Sequence, residues 1–382
     1  MKLFTRQRGS FTLMSGVLLL TLILAGCGSA NTGTTTGSGT PAATTAASTN
    51  GKGCTKVGVL LPETATSARW DGKDKPYLTT DIQAISGVTV DYYNAQGVSA
   101  TQQNQADQAL TKGDCILVVA PNDSAAAAAI VTKAKASGVP VIAYDRIIQS
   151  KDLNYYVSFD NQKVGQLQGQ YILDHYKDYV KGAGKNNISL INGSQTDQNA
   201  ILFNKGVEET LKPLIDNKTL NKVYDQFTPN WDNPTAQTEM EGVLTKNANN
   251  VQIAYVANDG MASTVIAALK AQHLNGKVLV TGQDATDAGI HNILTGDQSM
   301  TVYKAILKEA QATADIVKAL HDGTTPTTTG TSLTSDGGSI PSVLEAPVAV
   351  DKTNIVATVV KDNYIDKATV CAGLAAGTGG VC

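Results

Sequence analysis

Short runs of apolar residues recur along the chain from Cys54 onward, and segments with helical periodicity separate them. Continuous apolar runs bounded by turn residues are typical of strands that are buried on both faces of a parallel sheet. The predicted strands are 56–61, 88–93, 115–120, 139–144, 154–159, 188–192, 222–227, 251–257, 277–282 and 300–303. The predicted helices between them include 100–111, 124–136, 162–179 and one that begins near Asn199.

Repeated strand–helix units predict an α/β fold with doubly wound parallel sheets. A chain of 382 residues is long enough for two domains. The predicted strands are also too many for one comfortable sheet, so we expect two similar lobes. The segment 324–342 is rich in Thr, Gly and Ser. We expect it to be a surface connection rather than a linker between domains.

The amino-terminal residues have a different pattern. Three basic residues precede an apolar run, 11–24, that is short for a membrane span. The run closes on Leu24-Ala25-Gly26-Cys27, which resembles the lipobox of bacterial lipoproteins. We expect a signal peptide over 1–26 and acylation of Cys27. The alternative is an ordinary signal peptide followed by a chance cysteine.

Residues 28–53 are mainly Gly, Ser, Thr, Ala and Asn, and Lys52 is their only charge. Such a composition predicts a flexible tether, so we expect 27–53 to hold the lipid anchor and a linker. An anchor, a tether and a globular body predict display on the extracytoplasmic face of the cell membrane. That compartment permits disulfides.

Composition and motifs argue against several classes of protein. Lys and Arg number 30 against 33 Asp and Glu, so no basic excess indicates a nucleic-acid partner. No G-x-G-x-x-G follows a strand, and 182–185 lacks the first Gly and the final Ser/Thr of a P-loop, so no cofactor is expected. There is no G-x-S-x-G or H-E-x-x-H motif. The four His are scattered, so we expect neither a metal site nor a catalytic base.

Polar and aromatic side chains follow seven predicted strands, where ligands bind in open α/β sheets. They combine carboxylates, amides, Arg, Lys and both Trp of the chain: Arg69, Trp70, Asp71, Asp145, Arg146, Asp197, Gln198, Asn199, Asn230, Trp231, Asp232, Asn258, Asp259, Gln283, Asp284 and Lys304. A sugar needs donors and acceptors for each hydroxyl and an aromatic face for its ring. We therefore predict a sugar site.

Each of these residues also has a purely structural interpretation. Asp197, Asn258 or Asp259 could cap a helix. Asp145 and Arg146 could form a structural ion pair, the two Trp could be packing residues, and Lys304 could be a solvated charge. The combination of donors, acceptors and stacking surfaces favours the site.

Four segments resemble a known family. They are VIAYDR (141–146), SFDN (158–161) with Val164-Gly165, GQDA (282–285) and MTVYK (300–304). They are similar to the type I periplasmic binding proteins that serve as sugar-binding components of bacterial ABC importers. The resemblance covers 55 to about 366. Arg69-Trp70, Asn230-Trp231 and 301–304 are similar in particular to members that bind D-xylose.

The resemblance implies which residues contact the sugar. In the family, Trp side chains pack on the ring and the other residues hydrogen-bond its hydroxyls. The implied contacts are Arg69, Trp70, Asp145, Arg146, Asp197, Asn199, Trp231, Asn258, Asp284 and Lys304. The sequence departs from the pattern at Gln198, where Asn is expected, and over 63–68.

The resemblance also implies two lobes joined by three crossovers, which we expect near 159–161, 284–286 and 323–328. The expected amino-terminal lobe is 54–160 plus 286–325, and the carboxyl-terminal lobe is 161–285 plus 326–382. Closure on a monosaccharide, D-xylose first, would create the form that an ABC permease recognises. We expect a monomer.

Four cysteines remain beside Cys27. Cys54 and Cys115 begin strands that are adjacent and parallel in the implied strand order, so we expect them to form a disulfide at the edge opposite the sugar. Cys371 and Cys382 flank a flexible Ala/Gly-rich tail, and we expect a second disulfide there. The family member used for comparison has neither these cysteines nor a lipid anchor.

Three other functions were weighed. An extracytoplasmic glycosidase could use Asp145, Asp259 and Asp284 as acid and base, although Arg146 would keep Asp145 ionised. A transcriptional repressor needs a helix-turn-helix, where this chain has a lipobox and a tether. A sensor that presents sugar to a membrane receptor would use the same pocket, and the sequence does not separate it from an importer component.

Overall fold

The computed structural model describes residues 50–382. The predicted Cys27 lipidation, the 1–26 signal peptide and most of the 27–53 tether lie outside these residues. The strands are β1 Lys56–Leu61, β2 Thr89–Asn94, β3 Ile116–Val119, β4 Val141–Tyr144, β5 Tyr155–Phe159, β6 Asn187–Asn192, β7 Asn221–Phe227, β8 Ile253–Val256, β9 Leu279–Val280, β10 Thr301–Tyr303, β11 Gly330–Leu333, β12 Ser339–Glu345 and β13 Val348–Val350.

The helices alternate with the strands over most of the chain. They are α1 Lys75–Gln83, α2 Ser99–Lys112, α3 Ala128–Ala136, α4 Asn161–Tyr179, α5 Gln198–Asp216, α6 Asn233–Lys246, α7 Asp259–Ala271, α8 Asp287–Thr295, α9 Ile306–Asp322 and α10 Lys367–Val370. Single helical turns also occur at Trp70–Asp74, Pro229–Trp231, Val356–Val360 and Thr378–Gly380.

Two main sheets organise the described residues. The first has the strand order β11-β12-β5-β4-β3-β1-β2, and the second has the order β7-β6-β8-β9. All pairings in them are parallel except that of β11 with β12. The central strands are buried because their apolar side chains contact helices on both faces. The α/β prediction with two parallel-sheet lobes is confirmed.

The expectation for 324–342 was wrong. Within this segment lie β11 and most of β12, and β12 pairs in parallel with β5 at the edge of the first sheet. Ile340 is 1% exposed, whereas Leu333 is 77% exposed. The two strands are polar because one covers the edge of the sheet and the other forms the new edge, so little of either enters the core.

The lobe boundaries after residue 285 also differ from those expected. Ser299 and Val302 hydrogen-bond to β9 and to Gly282 just after it, and β10 pairs with β13, so 286–303 belongs with the second sheet. Helix α9 packs in the core of the first sheet. The crossovers therefore lie between β5 and α4, between β10 and α9, and between β12 and β13. The expected crossovers near 284–286 and 323–328 were wrong, because 330–345 returns to the first sheet before the chain leaves it.

Candidate functional site

One cavity lies between the two lobes, beyond the carboxyl ends of the strands of both sheets, and we call it the cleft cavity. Its lining includes the ten residues that the resemblance implied. The full lining is Thr66, Ser67, Arg69, Trp70, Asp145, Arg146, Asp197, Asn199, Phe203, Trp231, Asn258, Gln283, Asp284 and Lys304. Parallel strands bring their carboxyl ends to one edge, which is why residues far apart in sequence meet here.

Asp145 follows β4 and is the most heavily contacted anion of the cleft cavity. Its carboxylate accepts hydrogen bonds from Arg69 at 2.9 Å, from Lys304 at 2.7 Å and from Asn199 at 3.1 Å. Burial alone would raise the pKa of Asp145, but the charges of Arg69 and Lys304 hold that pKa well below its usual range. Lys304 is 2% exposed, so the alternative that it is a solvated charge is wrong.

Two acidic residues outside the predicted set hold Arg69 in place. The Arg69 guanidinium donates to Asp74 at 2.9 and 2.6 Å and to Glu309 at 3.2 Å. Burial and the charge of Asp145 raise the pKa of Glu309. Glu309 lies on the same helix face as buried Thr313, and an acidic residue on an apolar helix face is the sequence signal that could have identified it.

Arg146 and Asp197 join the two lobes. The Arg146 Nε lies 2.8 Å from an Asp197 oxygen, and the Trp231 indole N–H donates to that same oxygen at 3.1 Å. The other Asp197 oxygen accepts from the Asn199 backbone N–H at 2.9 Å and caps α5. Capping and a place in the site are therefore compatible, as they are at Asn258, which caps α7. Burial raises the pKa of Asp197.

Both Trp side chains are buried in the cleft wall. The guanidinium carbons of Arg69 and Arg146 lie 4.6 and 5.1 Å from the centre of the Trp70 ring. Trp231 has a φ of 58°, which is unusual for a bulky residue. A Cβ on Gly193 would lie 2.1 Å from the Trp231 ring, so only glycine at this position lets the indole approach the end of β6.

The turn after β9 carries Asp284 in a strained conformation, with a φ of 102°. The Asp284 carboxylate accepts from Ser67 of the other lobe at 3.2 Å, and its backbone carbonyl accepts from the Tyr364 hydroxyl at 3.2 Å. Burial raises the pKa of Asp284. Tyr364 lies 80 residues away along the chain, and nothing local in the sequence indicated this role.

The charges of the cleft cavity balance. Three cationic side chains, Arg69, Arg146 and Lys304, face three carboxylates, Asp145, Asp197 and Asp284. Each of the six is at most 7% exposed. A site of this kind offers strong hydrogen-bond donors and acceptors without a net charge, which suits a neutral ligand with several hydroxyls.

The glycosidase residues are not arranged as an acid–base pair. Asp145 is held ionised by two cations, and Asp259 does not line the cleft cavity. Asp259 instead accepts hydrogen bonds from Gln298 at 2.8 Å and from Thr301 at 2.9 Å. Gln198, the departure from the family pattern, also lies outside the lining, and its side chain contacts Gln149 of the other lobe at 3.4 Å.

Two disulfides are present, Cys54–Cys115 and Cys371–Cys382. Cys54 and Cys115 lie just before β1 and β3, at the edge of the first sheet opposite the cleft cavity. Across residues 50–382 no helix is both long and apolar enough to cross a bilayer. Within the same range, no group of three or more His, Cys, Asp or Glu side chains is placed to hold a metal ion.

Comparison with known proteins agrees with this architecture. The model of the periplasmic binding protein domain matches residues 60–325. The chain belongs to the periplasmic binding protein family. It is 36% identical over 309 residues to the D-xylose-binding periplasmic protein of Escherichia coli (strain K12), covering 81% of this chain and 90% of that protein.

Other periplasmic binding proteins are about as similar. The multiple sugar-binding periplasmic receptor ChvE of Rhizobium radiobacter is 36% identical over 326 residues, covering 81% of this chain and 90% of that one. A carbohydrate transporter solute-binding protein of Chloroflexus aurantiacus, solved with D-glucose, has a TM-score of 0.71 and 31% identity, covering 81% and 96%. As a member of this family, the chain is a binding protein and not an enzyme.

Proposed function

We propose that this periplasmic binding protein captures a monosaccharide by closing its two lobes, and that it delivers the sugar to an ABC permease. The observation that carries the proposal is the cleft cavity, where three cations and three carboxylates from both lobes surround one space with two Trp. Contacts to both lobes make a ligand favour the closed form, because only that form offers them all at once.

D-xylose is the first candidate ligand. The ten residues that the resemblance to xylose-binding members implied all line the cleft cavity, which supports this choice. Relatives named for D-xylose and for multiple sugars are equally identical to this chain, and a similar solved structure holds D-glucose. Discrimination between sugars therefore rests on individual hydroxyl partners, since a buried polar group left unpaired penalises the wrong sugar.

A thermal-shift screen with D-xylose, D-ribose, D-glucose and D-galactose tests the proposal. We expect D-xylose to raise the melting temperature most, because binding to the folded form alone stabilises it by mass action. Calorimetry should then give a dissociation constant on the order of 1 μM, equivalent to about −8 kcal/mol. If no sugar of the panel shifts the melting temperature, the proposal is wrong.

We propose further that Cys27 carries a lipid that holds the protein on the extracytoplasmic face of the membrane. The support is the sequence Leu24-Ala25-Gly26-Cys27 at the end of the apolar run, followed by a tether. Mass spectrometry of the mature amino-terminal peptide should show an acylated Cys27. Cys27→Ser should release the protein into the soluble fraction, whereas an unmodified Cys27 in the wild type would contradict the anchor.

A second candidate is sugar sensing. It is favoured by one observation, the relative that is named a multiple sugar-binding periplasmic receptor. The pocket chemistry is the same for both roles, so the partner decides between them. Sugar-dependent pull-down of permease subunits supports delivery for import, and sugar-dependent pull-down of a receptor or kinase supports sensing.

A further inference from the structure

A second cavity lies at the opening of the cleft, beside the cleft cavity, and we call it the mouth cavity. Its lining is Glu63, Thr64, Ala65, Thr66, Gln96, Gly97, Asn122, Arg146, Ser194, Asn230 and Trp231. Thr66, Arg146 and Trp231 line both cavities. The empty space is about 680 Å³ in the mouth cavity and about 340 Å³ in the cleft cavity, each counted to the open solvent.

The mouth cavity is built by both lobes at the carboxyl ends of their strands. Gln96 and Asn122 follow β2 and β3 of the first lobe, and Ser194 and Asn230 follow β6 and β7 of the second. A ligand that occupies the mouth cavity would therefore contact both lobes and favour their closure, as a ligand of the cleft cavity does.

The polar groups of the mouth cavity suit an uncharged ligand with hydroxyls. Both oxygens of Glu63 are already bonded to Thr66, at 2.7 Å to its backbone N–H and 2.8 Å to its hydroxyl. The charge of Arg146 is paired with Asp197. What remains is mainly amide and hydroxyl groups, which donate and accept hydrogen bonds as sugar hydroxyls require.

Trp231 forms part of the wall shared by the two cavities. Its conformation, with a φ of 58°, and its bond to Asp197 fix the indole there. An aromatic surface placed between two polar cavities can pack against a saccharide on either side. Glu63, Thr64 and Ala65 of the mouth wall come from 63–68, the segment in which the sequence departs from the xylose-binding pattern.

We propose that the mouth cavity is a second saccharide subsite and that the protein accepts a disaccharide, with one ring in the cleft cavity and the other in the mouth cavity. This rests on the proposed sugar-binding function. A monosaccharide fills the cleft cavity alone, whereas a glycosidic substituent on its ring extends past Arg146 and Trp231 into the mouth.

The test compares D-xylose with xylobiose and D-glucose with cellobiose by calorimetry. Native mass spectrometry of the complex must show the intact disaccharide, which excludes a contaminating monosaccharide. We expect at least one disaccharide to bind with a dissociation constant within tenfold of its monosaccharide, or tighter.

A blocking variant separates the two cavities. Ala65 is exposed on the mouth wall, so Ala65→Trp should fill the mouth cavity and leave the cleft cavity intact. We expect at least tenfold weaker disaccharide binding and an unchanged monosaccharide affinity. Ala68→Trp is the matched control, because Ala68 is exposed three residues further on and lines neither cavity. This control should leave both affinities unchanged.

The outcomes distinguish this subsite from the proposed function. Binding of a monosaccharide without either disaccharide overturns the subsite and leaves the proposed function standing. The subsite is also overturned if Ala65→Trp changes both affinities equally or changes neither. Absence of binding by every sugar, large or small, overturns the proposed function itself.

Discussion

Arg146 and Asp197 approach to 2.8 Å across the cleft, one from each lobe, and each is at most 7% exposed. The pair therefore joins the two lobes at the wall of the cavity that we propose for the sugar. A buried charge that loses its partner costs about 3–5 kcal/mol, so neither residue is replaceable without consequence.

Arg146→Ala should weaken D-xylose binding by at least about tenfold. The change removes a charged donor from the cleft cavity and leaves the Asp197 carboxylate buried without its cation; such bonds contribute about 1.5–3 kcal/mol. Calorimetry measures the effect. Lys135→Ala is the control, since Lys135 forms an exposed ion pair with Asp152 and should not alter affinity. Unchanged affinity in Arg146→Ala would remove Arg146 from the site.

Gly193→Ala should also weaken sugar binding at least tenfold. Its Cβ would lie 2.1–2.4 Å from indole carbons of Trp231, so the ring must leave its place in the cavity wall. Titration followed by tryptophan fluorescence reports both the affinity and the displaced indole. Gly242→Ala is a matched control in α6, because no atom lies within 4 Å of its added Cβ. The same affinity in both variants would contradict the role of Gly193.

Stability should fall between about pH 4 and pH 6 because of Asp114. This residue is 1% exposed, and neither of its carboxylate oxygens has a hydrogen-bond donor within residues 50–382. Burial, together with the charge of Asp91, raises the pKa of Asp114 to about 6. Because the folded state holds this proton more tightly than the unfolded state, ionisation as the pH rises destabilises the fold.

Urea unfolding at several pH values tests Asp114→Asn. The variant should lose this part of the pH dependence and gain on the order of 1–2 kcal/mol at pH 7. Asp107→Asn, at an exposed ion pair with Lys133, is the control. A slope between pH 4 and pH 6 that is identical in the wild type and Asp114→Asn would refute the assignment.

Removal of the Cys54–Cys115 disulfide should affect stability and not affinity. The Cys54→Ser/Cys115→Ser variant opens a loop with a sequence separation of 61, and such a loss costs about 2–4 kcal/mol. The disulfide lies at the amino-terminal ends of β1 and β3, opposite the cleft cavity. Cys371→Ser/Cys382→Ser should cost less, because its separation is only 11. A parallel loss of sugar affinity in the first variant would contradict this separation of roles.

The sequence by itself determined the strands β1 to β10, because buried parallel strands are short apolar runs that turn residues interrupt. It also determined which residues stand at the carboxyl ends of those strands, and the ten implied sugar contacts all line one cavity. The β11–β12 hairpin was missed because its polar sequence resembles a loop, and only its pairing with β5 makes it part of the sheet.

Only the tertiary structure decided which residues support the cleft cavity. Glu309 meets Arg69 across 240 positions of the chain, and Tyr364 meets Asp284 across 80. Gly193 accommodates Trp231 through a close approach that a local pattern does not encode. Local propensity fixes where an element begins and ends, whereas contacts between distant residues depend on strand order and on how the lobes pack together.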